Sequence, residues 1–343
     1  FWHGGKLIPT GAGSQPPGAA MALRARCPAC PKTPQSSKWP LLDITSYNKI
    51  QYIEQSIKSV LSQTLKPFEI VIIDDASQDG SQDLIKSFAS KYSNLIFPIF
   101  NEFNIGIAKC RNKALCALNG DLVTFLDGDD YFYPNKLELE YKQLIKYQNT
   151  QVVYSNFNYV DKTGELIDCF AEETDVPATG DIFINTFTKN YNVKSGSNYI
   201  YEMFYRNCAF EIGLYDKNIK IWEDWDFRIR MSKMFRYGYC SKVNSVYRQL
   251  TESLQTSNFE THYHEQIKIY NKNKPLIQDL QEEEKSLIHN RVYSKIKSLF
   301  QHIMEKNRQD KLLFRLLFYA GHFILIFKTR KSISAALKTL LNK

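Results

Sequence analysis

Residues 122–130 read Leu-Val-Thr-Phe-Leu-Asp-Gly-Asp-Asp, an apolar run of strand length that ends directly in three carboxylates. Similar apolar runs occur at Phe68–Ile73, Leu95–Phe100 and Gln151–Val160. Near-continuous apolar strands are typical of strands covered on both faces, as in a parallel sheet. The stretch 122–130 therefore predicts a buried strand whose carboxyl end carries acids.

Segments with helical periodicity alternate with these strands. The sequence predicts helices at Ile50–Ser62, Ser81–Lys91, Ile105–Leu118, after Pro134 and at Asp224–Phe235, with further strands at Leu41–Ile44 and Ser241–Arg248. Such alternation with short connections indicates an α/β fold in which helices cover both faces of a mostly parallel sheet. Ligands of such sheets bind beyond the carboxyl ends of the strands, so polar residues there are the candidates for function.

Composition divides the chain into three regions. Residues 1–40 hold seven of the twelve prolines and no acid, and we expect a disordered or foreign leader. Residues 41–257 carry the alternating pattern and are expected to form one domain. Residues 258–343 are predicted to form a helical, basic C-terminal region.

The formal charge of +8 is concentrated at the two ends of the chain. Residues 1–40 contain five Lys or Arg and residues 311–343 contain seven, which leaves 32 basic and 36 acidic side chains between them. A nucleic-acid enzyme spreads positive charge over its working surface, so we expect no nucleic-acid partner. The C-terminal run mixes Leu, Phe and Ile with cations, which favours a helix on an anionic leaflet over a packed C-terminal helix. No run has the ~18–20 apolar residues that span a bilayer.

The positions of the histidines and cysteines, together with one missing motif, argue against further classes of protein. No histidine occurs between His3 and His262, so a Ser-His-Asp hydrolase or a zinc peptidase has no support in the predicted sheet domain. A P-loop signature is also missing from the sequence. The seven cysteines have no framework spacing, which favours a reducing compartment and therefore a cytoplasmic protein.

The acids at the predicted strand end suggest a metal site. Asp127, Asp129 and Asp130 would repel one another without a nearby cation. Mg2+ or Mn2+ held by one or two carboxylates can bridge a pyrophosphate and neutralise the charge on a departing nucleotide diphosphate. The alternative is a solvated turn in which Asp130 caps the next helix.

Three further polar groups lie at predicted element boundaries. Asp75 ends a strand, and its carboxylate either accepts a hydrogen bond from a uracil imide or belongs to an Asx turn or a cap of the helix at Ser81. Arg111 either contacts a base or a phosphate, or stays in water. Trp222–Asp226 combines three acids with two indoles, which suits either a base for an acceptor hydroxyl or a helix N-cap beside core tryptophans.

Taken in order, these strings resemble the family 2 glycosyltransferases, which are inverting nucleotide-diphospho-sugar transferases of the GT-A fold. The resemblance spans roughly residues 41–257. The matching segments are Thr45–Asn48, Ser59–Thr64, Ile73–Asp75, Asn104–Asn112, Phe125–Asp130 and Glu223–Asp226. The resemblance implies a GT-A, Rossmann-like fold for the sheet domain, with a nucleotide-binding half at 41–130 and an acceptor half at 131–257, followed by the C-terminal helical extension.

The resemblance also implies roles for the matching residues. Asp224 would be the base that deprotonates the acceptor hydroxyl, and Glu223 would orient the acceptor or the donor sugar. Asp129, helped by Asp127, would hold the divalent metal, Mg2+ or Mn2+. The donor, expected to be a UDP-sugar, would bind to those two aspartates and to Thr45, Tyr47, Asn48, Asp75 and Arg111.

The expected acceptor is a hydroxyl of a saccharide or lipid-linked molecule in cell-surface polysaccharide synthesis. The protein would work at the cytoplasmic face of a membrane, with the basic C-terminal region bound peripherally to the inner leaflet. Two other functions stay open: a catalytically inactive nucleotide-sugar-binding module and a sugar nucleotidyltransferase on a related fold. The acids Asp129 and Asp224 argue against the first, and the absence of a Gly-rich N-terminal loop with Arg argues against the second.

The sequence departs from the family pattern at two places. Asp43 stands in the first predicted strand, where the family has an apolar run, so we expect that strand to be short or weakened. Leu250 stands where many members have a histidine that touches metal or diphosphate. His262 or His264 would have to replace it, although histidines on a charged segment are more often exposed.

Overall fold

The computed structural model describes residues 40–147, 149–194, 198, 200–250 and 259–306. The strands of this part of the chain are β1 (Pro40–Ser46), β2 (Glu69–Asp74), β3 (Ile96–Phe100), β4 (Leu122–Asp127), β5 (Tyr131–Phe132), β6 (Val152–Val160), β7 (Leu166–Cys169), β8 (Met203–Tyr205) and β9 (Tyr237–Arg248). The helices are α1 (Ile53–Leu61), α2 (Ser81–Lys91), α3 (Ile107–Ala117), α4 (Lys136–Lys146), α5 (Phe183–Thr188), α6 (Arg206–Glu211), α7 (Glu223–Met234), α8 (Phe259–Asn273) and α9 (Glu282–Lys306).

All of these strands join one sheet in the order β3-β2-β1-β4-β8-β6-β9-β5, with β7 paired to β6. The first four strands in that order are parallel, as the apolar runs predict. Beyond β4 the sheet is mixed, because β8 is antiparallel to both of its neighbours while β6 and β9 are parallel. The carboxyl ends of β1, β2 and β4 meet at one edge, which is where the candidate residues lie.

Helices cover both faces of the sheet. Apolar side chains of α1, α2 and α4 pack in one hydrophobic cluster on one face, and those of α3, α6 and α7 pack in a second cluster on the other. Each cluster contains alternate residues of the strands, since successive strand side chains point to opposite faces. The predicted α/β architecture is confirmed.

The C-terminal helices are joined to this body by a third hydrophobic cluster. It contains Phe183 and Phe187 of α5, Trp225 of α7, Ile269 of α8 and Val292 of α9. Since α7 contributes to both the second and the third clusters, α8 and α9 are held beside its N-terminal end. None of the helices described is both long and apolar enough to cross a membrane. The leader and the basic run 311–343 lie outside the described residues.

The expectation of a short first strand is wrong. β1 runs for seven residues between β2 and β4, and Asp43 pairs in register with Val71 on one side and Phe125 on the other. The backbone bonds to both neighbours hold the strand despite the acid. Asp43 is 1% exposed, neither carboxylate oxygen has a hydrogen-bond partner within the described chain, and burial raises its pKa well above the ordinary value. Protonation of Asp43 removes the charge that would oppose burial.

Candidate functional site

One cleft of about 1540 Å3 opens at the carboxyl ends of β1, β2 and β4. The N-terminus of α7 forms its opposite wall. It brings together the nine residues to which the family resemblance gives a role: Thr45, Tyr47, Asn48, Asp75, Arg111, Asp127, Asp129, Glu223 and Asp224. Residues that lie up to 179 positions apart in the chain therefore share one solvent-filled space.

The strand pairing of β1 with β4 sets the positions of the first acids. Thr45 lies opposite Asp127 in the register, and its hydroxyl donates to Asp127 Oδ1 at 3.0 Å. The next amide, Gly128 N, donates to the Thr45 carbonyl at 2.8 Å. A Cβ on Gly128 would lie 3.0 Å from that carbonyl oxygen, a tighter contact than most Cβ atoms make, so glycine favours this close turn. The turn carries Asp127 and Asp129 on either side of Gly128.

Asp129 and Asp130 have different environments. Asp129 Oδ2 accepts a hydrogen bond from Lys49 Nζ at 2.6 Å, and burial raises the pKa of Asp129 although Lys49 opposes the shift. Asp130 is 2% exposed and accepts from the backbone amide of Arg248 at 2.6 Å and from the Tyr201 hydroxyl. The interpretation of Asp130 as a helix cap is wrong, because its side chain is turned inward against β9.

Asp127 and Asp129 are the residues that could hold a divalent cation. Within the described ranges no group of three or more His, Cys, Asp or Glu could hold a metal ion. Mg2+ sites in nucleotide enzymes commonly use one or two carboxylates and complete the shell with water and substrate phosphate oxygens. Asp127 also raises the pKa of Asp129 by repulsion, and a cation would relieve that repulsion. The pair fits a metal that binds together with a diphosphate.

Arg111 connects the two walls of the cleft. From α3 its Nη1 donates to Glu223 Oε1 at 3.0 Å and its Nη2 donates to Asp127 Oδ1 at 3.1 Å. The guanidinium is also within 6 Å of the Phe125 and Tyr215 ring centres. Burial alone would lower the pKa of Arg111, but the carboxylates around it raise that pKa well above the ordinary value. Arg111 is a buried bridge, and the alternative that it stays in water is wrong.

Asp75 fixes the loop that precedes α3. Its Oδ1 accepts from the Ile105 amide and the Asn101 side chain, and its Oδ2 accepts from the Gly106 amide at 2.9 Å. Gly106 has φ +86, a left-handed conformation that favours glycine. Asp75 therefore shapes this wall of the cleft, and the interpretation of it as a cap for the helix at Ser81 is wrong.

Tyr47 and Asn48 stand at the mouth of the cleft. Tyr47 is 48% exposed, which leaves its ring accessible from the cleft. Asn48 has φ 53, its amide donates to Ser77 Oγ at 2.8 Å, and its side-chain oxygen accepts from the Gln78 amide at 2.9 Å. Asn48 thus ties the loop after β1 to the loop after β2.

The opposite wall carries Glu223 and Asp224 at the start of α7. Asp224 Oδ2 accepts from Arg228 Nη1 at 2.6 Å, and Arg228 also donates two hydrogen bonds to Glu202, at 3.0 and 2.8 Å. Burial would raise the pKa of Asp224, but the charges of Arg228, Arg111 and Lys189 together outweigh burial and hold that pKa below the ordinary value. Burial raises the pKa of Glu223 to about 7 despite Arg111. Asp224 is the more exposed acid, with 27% of its side chain accessible against 8% for Glu223.

The two tryptophans beside these acids have different positions. Trp225 is 3% exposed and donates from Nε1 to the Thr186 carbonyl at 2.9 Å, as a core residue would. Trp222 has φ 65, lines the cleft and donates from Nε1 to His262 Nδ1 at 2.9 Å. His262 is buried on α8, so the expectation that it is exposed is wrong, whereas His264 is exposed as expected.

His262 thus lies against Trp222, beside Glu223 and Asp224. Leu250 is half-buried and is not among the residues that line the cleft.

Sequence reasoning missed several residues of the site. Lys49 and Tyr201 contact the candidate acids, and Glu202 binds Arg228. None of the three belongs to a motif, because they reach the cleft only through the fold. Arg228 was within reach of the sequence, since it lies four positions after Asp224 on a predicted helix. The sequence predicts Arg248 only as the last residue of a strand, yet its Nε donates to the Asp129 carbonyl at 3.0 Å.

The known proteins to which this chain is similar are glycosyltransferases. Residues 44–208 match the model of Glycosyl transferase family 2. A cholesterol galactosyltransferase of Borreliella burgdorferi is 37% identical over 114 residues, which are 33% of this chain and 31% of that protein. TuaG of Bacillus subtilis, a glycosyltransferase attributed to teichuronic acid biosynthesis, is 32% identical over 149 residues, which are 43% of this chain and 58% of TuaG. The matched region spans less than two thirds of each of these relatives.

Solved structures share the fold. S. aureus TarS 1–349 in complex with UDP-GlcNAc superposes with a TM-score of 0.62 and 19% identity over 84% of this chain and 81% of TarS 1–349. The mannosyltransferase PcManGT from Pyrobaculum calidifontis, in complex with GDP-Man and Mn2+, has a TM-score of 0.54 and 16% identity over 92% of this chain and 90% of its own. At these identities the likeness establishes the GT-A fold.

Proposed function

This chain belongs to glycosyl transferase family 2, and on that premise we propose that it transfers a sugar from a UDP-sugar to an acceptor hydroxyl with inversion at the anomeric carbon. The observation that carries the proposal is the arrangement around Arg111. One side of its guanidinium binds Asp127 at the sheet edge, and the other binds Glu223 beside Asp224. One cleft is thus lined both by acids that suit a metal bound to the leaving diphosphate and by an acid that suits acceptance of a proton.

The donor is proposed to bind at the sheet edge. Space for a nucleoside is surrounded by the loop that Asp75 fixes, the exposed ring of Tyr47 and the turn of Asn48. Asp75 Oδ2 accepts a single hydrogen bond in the described structure, which leaves a lone pair for a base N–H. A UDP donor is supported by the fold shared with TarS, which was solved with UDP-GlcNAc.

A divalent metal, Mg2+ or Mn2+, is proposed to be held by Asp129 with help from Asp127. When bound, it would supply positive charge that stabilises the leaving nucleoside diphosphate. Thr45 and Arg111 orient Asp127 through its Oδ1, and Arg248 holds the backbone of Asp129. Lys49 occupies Asp129 Oδ2 in the structure, so its ammonium group is proposed to move towards the diphosphate when donor binds.

The base is proposed to be Asp224. Its lowered pKa keeps it ionised at neutral pH, and its accessible side chain faces the cleft. Glu223 is a poorer candidate, because it is more deeply buried and already bonded to Arg111. Asp224 would take the proton of the acceptor hydroxyl while that oxygen bonds to the anomeric carbon and the carbon–diphosphate bond breaks. Attack from the side opposite to the diphosphate inverts the anomeric configuration, and Glu223 would orient the reacting sugars.

The acceptor is proposed to be a saccharide or lipid-linked molecule of cell-surface polysaccharide synthesis. TuaG, which is attributed to teichuronic acid biosynthesis, supports this assignment through its 32% identity. We also propose a cytoplasmic location with peripheral binding to the inner leaflet by the basic C-terminal run, which lies outside the described residues.

A donor screen tests the proposed function. The purified chain is incubated with a panel of nucleotide sugars, with and without Mn2+ or Mg2+, and the released products are identified. We expect nucleoside diphosphate from a UDP-sugar, and we expect the anomeric proton coupling of the product to show inversion. Release of pyrophosphate would instead identify a nucleotidyltransferase, and binding of donor without any release would identify an inactive binding module.

A further inference from the structure

Two lysines lie at the end of the cleft beyond Asp224. Lys189 ends α5 in a left-handed conformation, with φ 53, and is 8% exposed. Lys295 lies on α9, and both lysines line the cleft. The ion pairs found among the described residues include neither of them.

The surroundings of Lys189 are unusual for a buried cation. Its Nζ lies 3.5 Å from the Trp222 ring centre and 4.2 Å from that of Trp225. Cation–π contacts of this kind offset part of the cost of removing an ammonium group from water. Burial lowers the pKa of Lys189 well below the ordinary value, and the charge of Lys295 lowers it further. Trp222 and Trp225 thus hold the ammonium group without neutralising it.

Lys295 is in a similarly unfavourable position. Burial lowers its pKa to about 8, and the like charge of Arg291, one helical turn away, contributes to the shift. Like charges four positions apart destabilise a helix. Acids at positions 291 or 299 would have stabilised α9, but these positions hold Arg291 and Leu299.

Two of the other buried cations of the cleft region are compensated by acids. Arg111 binds Asp127 and Glu223, and Arg228 binds Glu202 and Asp224. Asp224 also attracts Lys189, but its carboxylate is bonded to Arg228. Lys189 and Lys295 therefore have no ion-pair partner among the described residues, and an anion bound beside them, next to the acid proposed as the base, would favour their charged forms.

We propose that Lys189 and Lys295 form an anion-binding subsite for the acceptor, which is therefore a saccharide with a phosphate or carboxylate group near the hydroxyl that is glycosylated. This inference rests on the proposed function. The anion belongs to the acceptor because the donor diphosphate is assigned to Asp127 and Asp129, across the Arg111 bridge. Lys295 also lies beyond residues 44–208, so the C-terminal helices contribute to acceptor selection.

Amine footprinting tests the subsite without any turnover. The full chain is treated with limiting acetic anhydride at pH 8, and acetylation of Lys295 is followed by mass spectrometry, with Lys297 as the exposed control on the same helix. Glycerol 3-phosphate is compared with glycerol, and glucuronate is compared with glucose. At saturation we expect one anion to slow acetylation of Lys295 by about fivefold or more, while its neutral partner and Lys297 show no change. Equal rates with every anion and its neutral partner would overturn the proposal.

Acceptor kinetics provide the second measurement. With acceptors that differ only in a phosphate or carboxylate group, we expect Lys295→Gln to raise KM for the anionic acceptor by about tenfold. The matched variant Lys297→Gln should keep the wild-type ratio of KM values for the anionic and neutral acceptors. If Lys295→Gln left this ratio of KM values unchanged, the proposed subsite would be rejected. Anion protection of Lys295 without any sugar transfer would retain the subsite and reject the proposed function, whereas transfer without protection would do the reverse.

Discussion

The two ends of the cleft hold their carboxylates in opposite ways. At the sheet edge, Asp127, Asp129 and Asp130 lie within four residues of one another, and repulsion from Asp127 raises the pKa of both other acids. At the start of α7, Glu223 and Asp224 each have an arginine partner, at 3.0 and 2.6 Å. The three acids of the first group share two cationic partners, Lys49 and Arg111, whereas each acid of the second group is bonded to an arginine.

This difference separates two chemical tasks. Crowded carboxylates bind a cation strongly, since the cation relieves their repulsion. A carboxylate beside an arginine stays ionised and is ready to accept a proton, although the arginine makes it a weaker base. The sheet edge therefore suits the metal and diphosphate, and the start of α7 suits the acceptor hydroxyl.

The largest expected effect is that of Asp224→Asn. The amide keeps the size of the side chain but accepts no proton at neutral pH, so we expect kcat to fall by about 10³-fold. Donor affinity should stay within about twofold, because donor binding is assigned to the other end of the cleft. Product release and calorimetric titration of the donor measure the two quantities.

Asp279→Asn is the matched control for this change. Asp279 is 71% exposed, pairs with Lys233 outside the cleft, and should leave both quantities unchanged. A turnover within a few-fold of wild type in Asp224→Asn would remove the base assignment. If Asp224→Asn lost donor affinity as strongly as turnover, the two ends of the cleft would not have the separate roles proposed here.

A smaller effect is expected for Asp129→Ala at the sheet edge. Loss of one of two proposed metal ligands should weaken metal-dependent donor binding by about 10–100-fold. Titrations of the donor with Mn2+ and with EDTA measure the metal-dependent part. Asp83→Ala, an exposed acid paired with Lys86 on α2, serves as the control and should retain the full metal effect. Wild-type affinity of Asp129→Ala in the presence of Mn2+ would contradict the proposed metal site.

The sheet edge could be predicted from sequence because its geometry is local. An apolar strand followed by Asp127-Gly128-Asp129 predicts acids at the carboxyl end, and parallel pairing brings Thr45 and Asp75 to the same edge. The helix bounds Ser81–Lys91 agree with the structure, and most other elements differ from their predicted bounds by one to four residues. β9 begins at Tyr237, four residues before the predicted start, since β6 offers pairing partners that sequence periodicity does not reveal.

The start of α7 could be predicted only in part. The acids and indoles of residues 222–226 are visible as candidates in the sequence, but their ionisation also depends on Arg111, which contacts Glu223 only through tertiary structure. Lys189 and Lys295 were invisible for the same reason, because they meet only when α9 packs beside α5. Pairwise charge compensation across distant segments has no signature in a single sequence.

The smallest expected effect concerns Glu223 and stability. Its pKa rises from 4.5 to about 7 in the folded protein because of burial. Between these pH values the unfolded chain has lost the proton and the folded protein retains it, so stability due to this group falls as pH rises. We expect the free energy of unfolding of the wild type, relative to Glu223→Gln, to decrease by up to about 1.4 kcal/mol per pH unit from pH 5 to 7. Denaturant unfolding at several pH values measures this difference.

The sign of that difference decides which of two opposing effects on Glu223 is larger. Removing a carboxylate from water costs several kcal/mol, whereas a hydrogen bond to a charged partner such as Arg111 returns about 1.5–3 kcal/mol. If the Arg111 bridge were the larger effect, the wild type would gain stability over Glu223→Gln as pH rises, and Glu223 would resemble Asp224. Glu211→Gln, an exposed glutamate on α6, should follow the wild type at every pH. A decrease confined to the comparison with Glu223→Gln would show that burial outweighs the Arg111 bridge at Glu223.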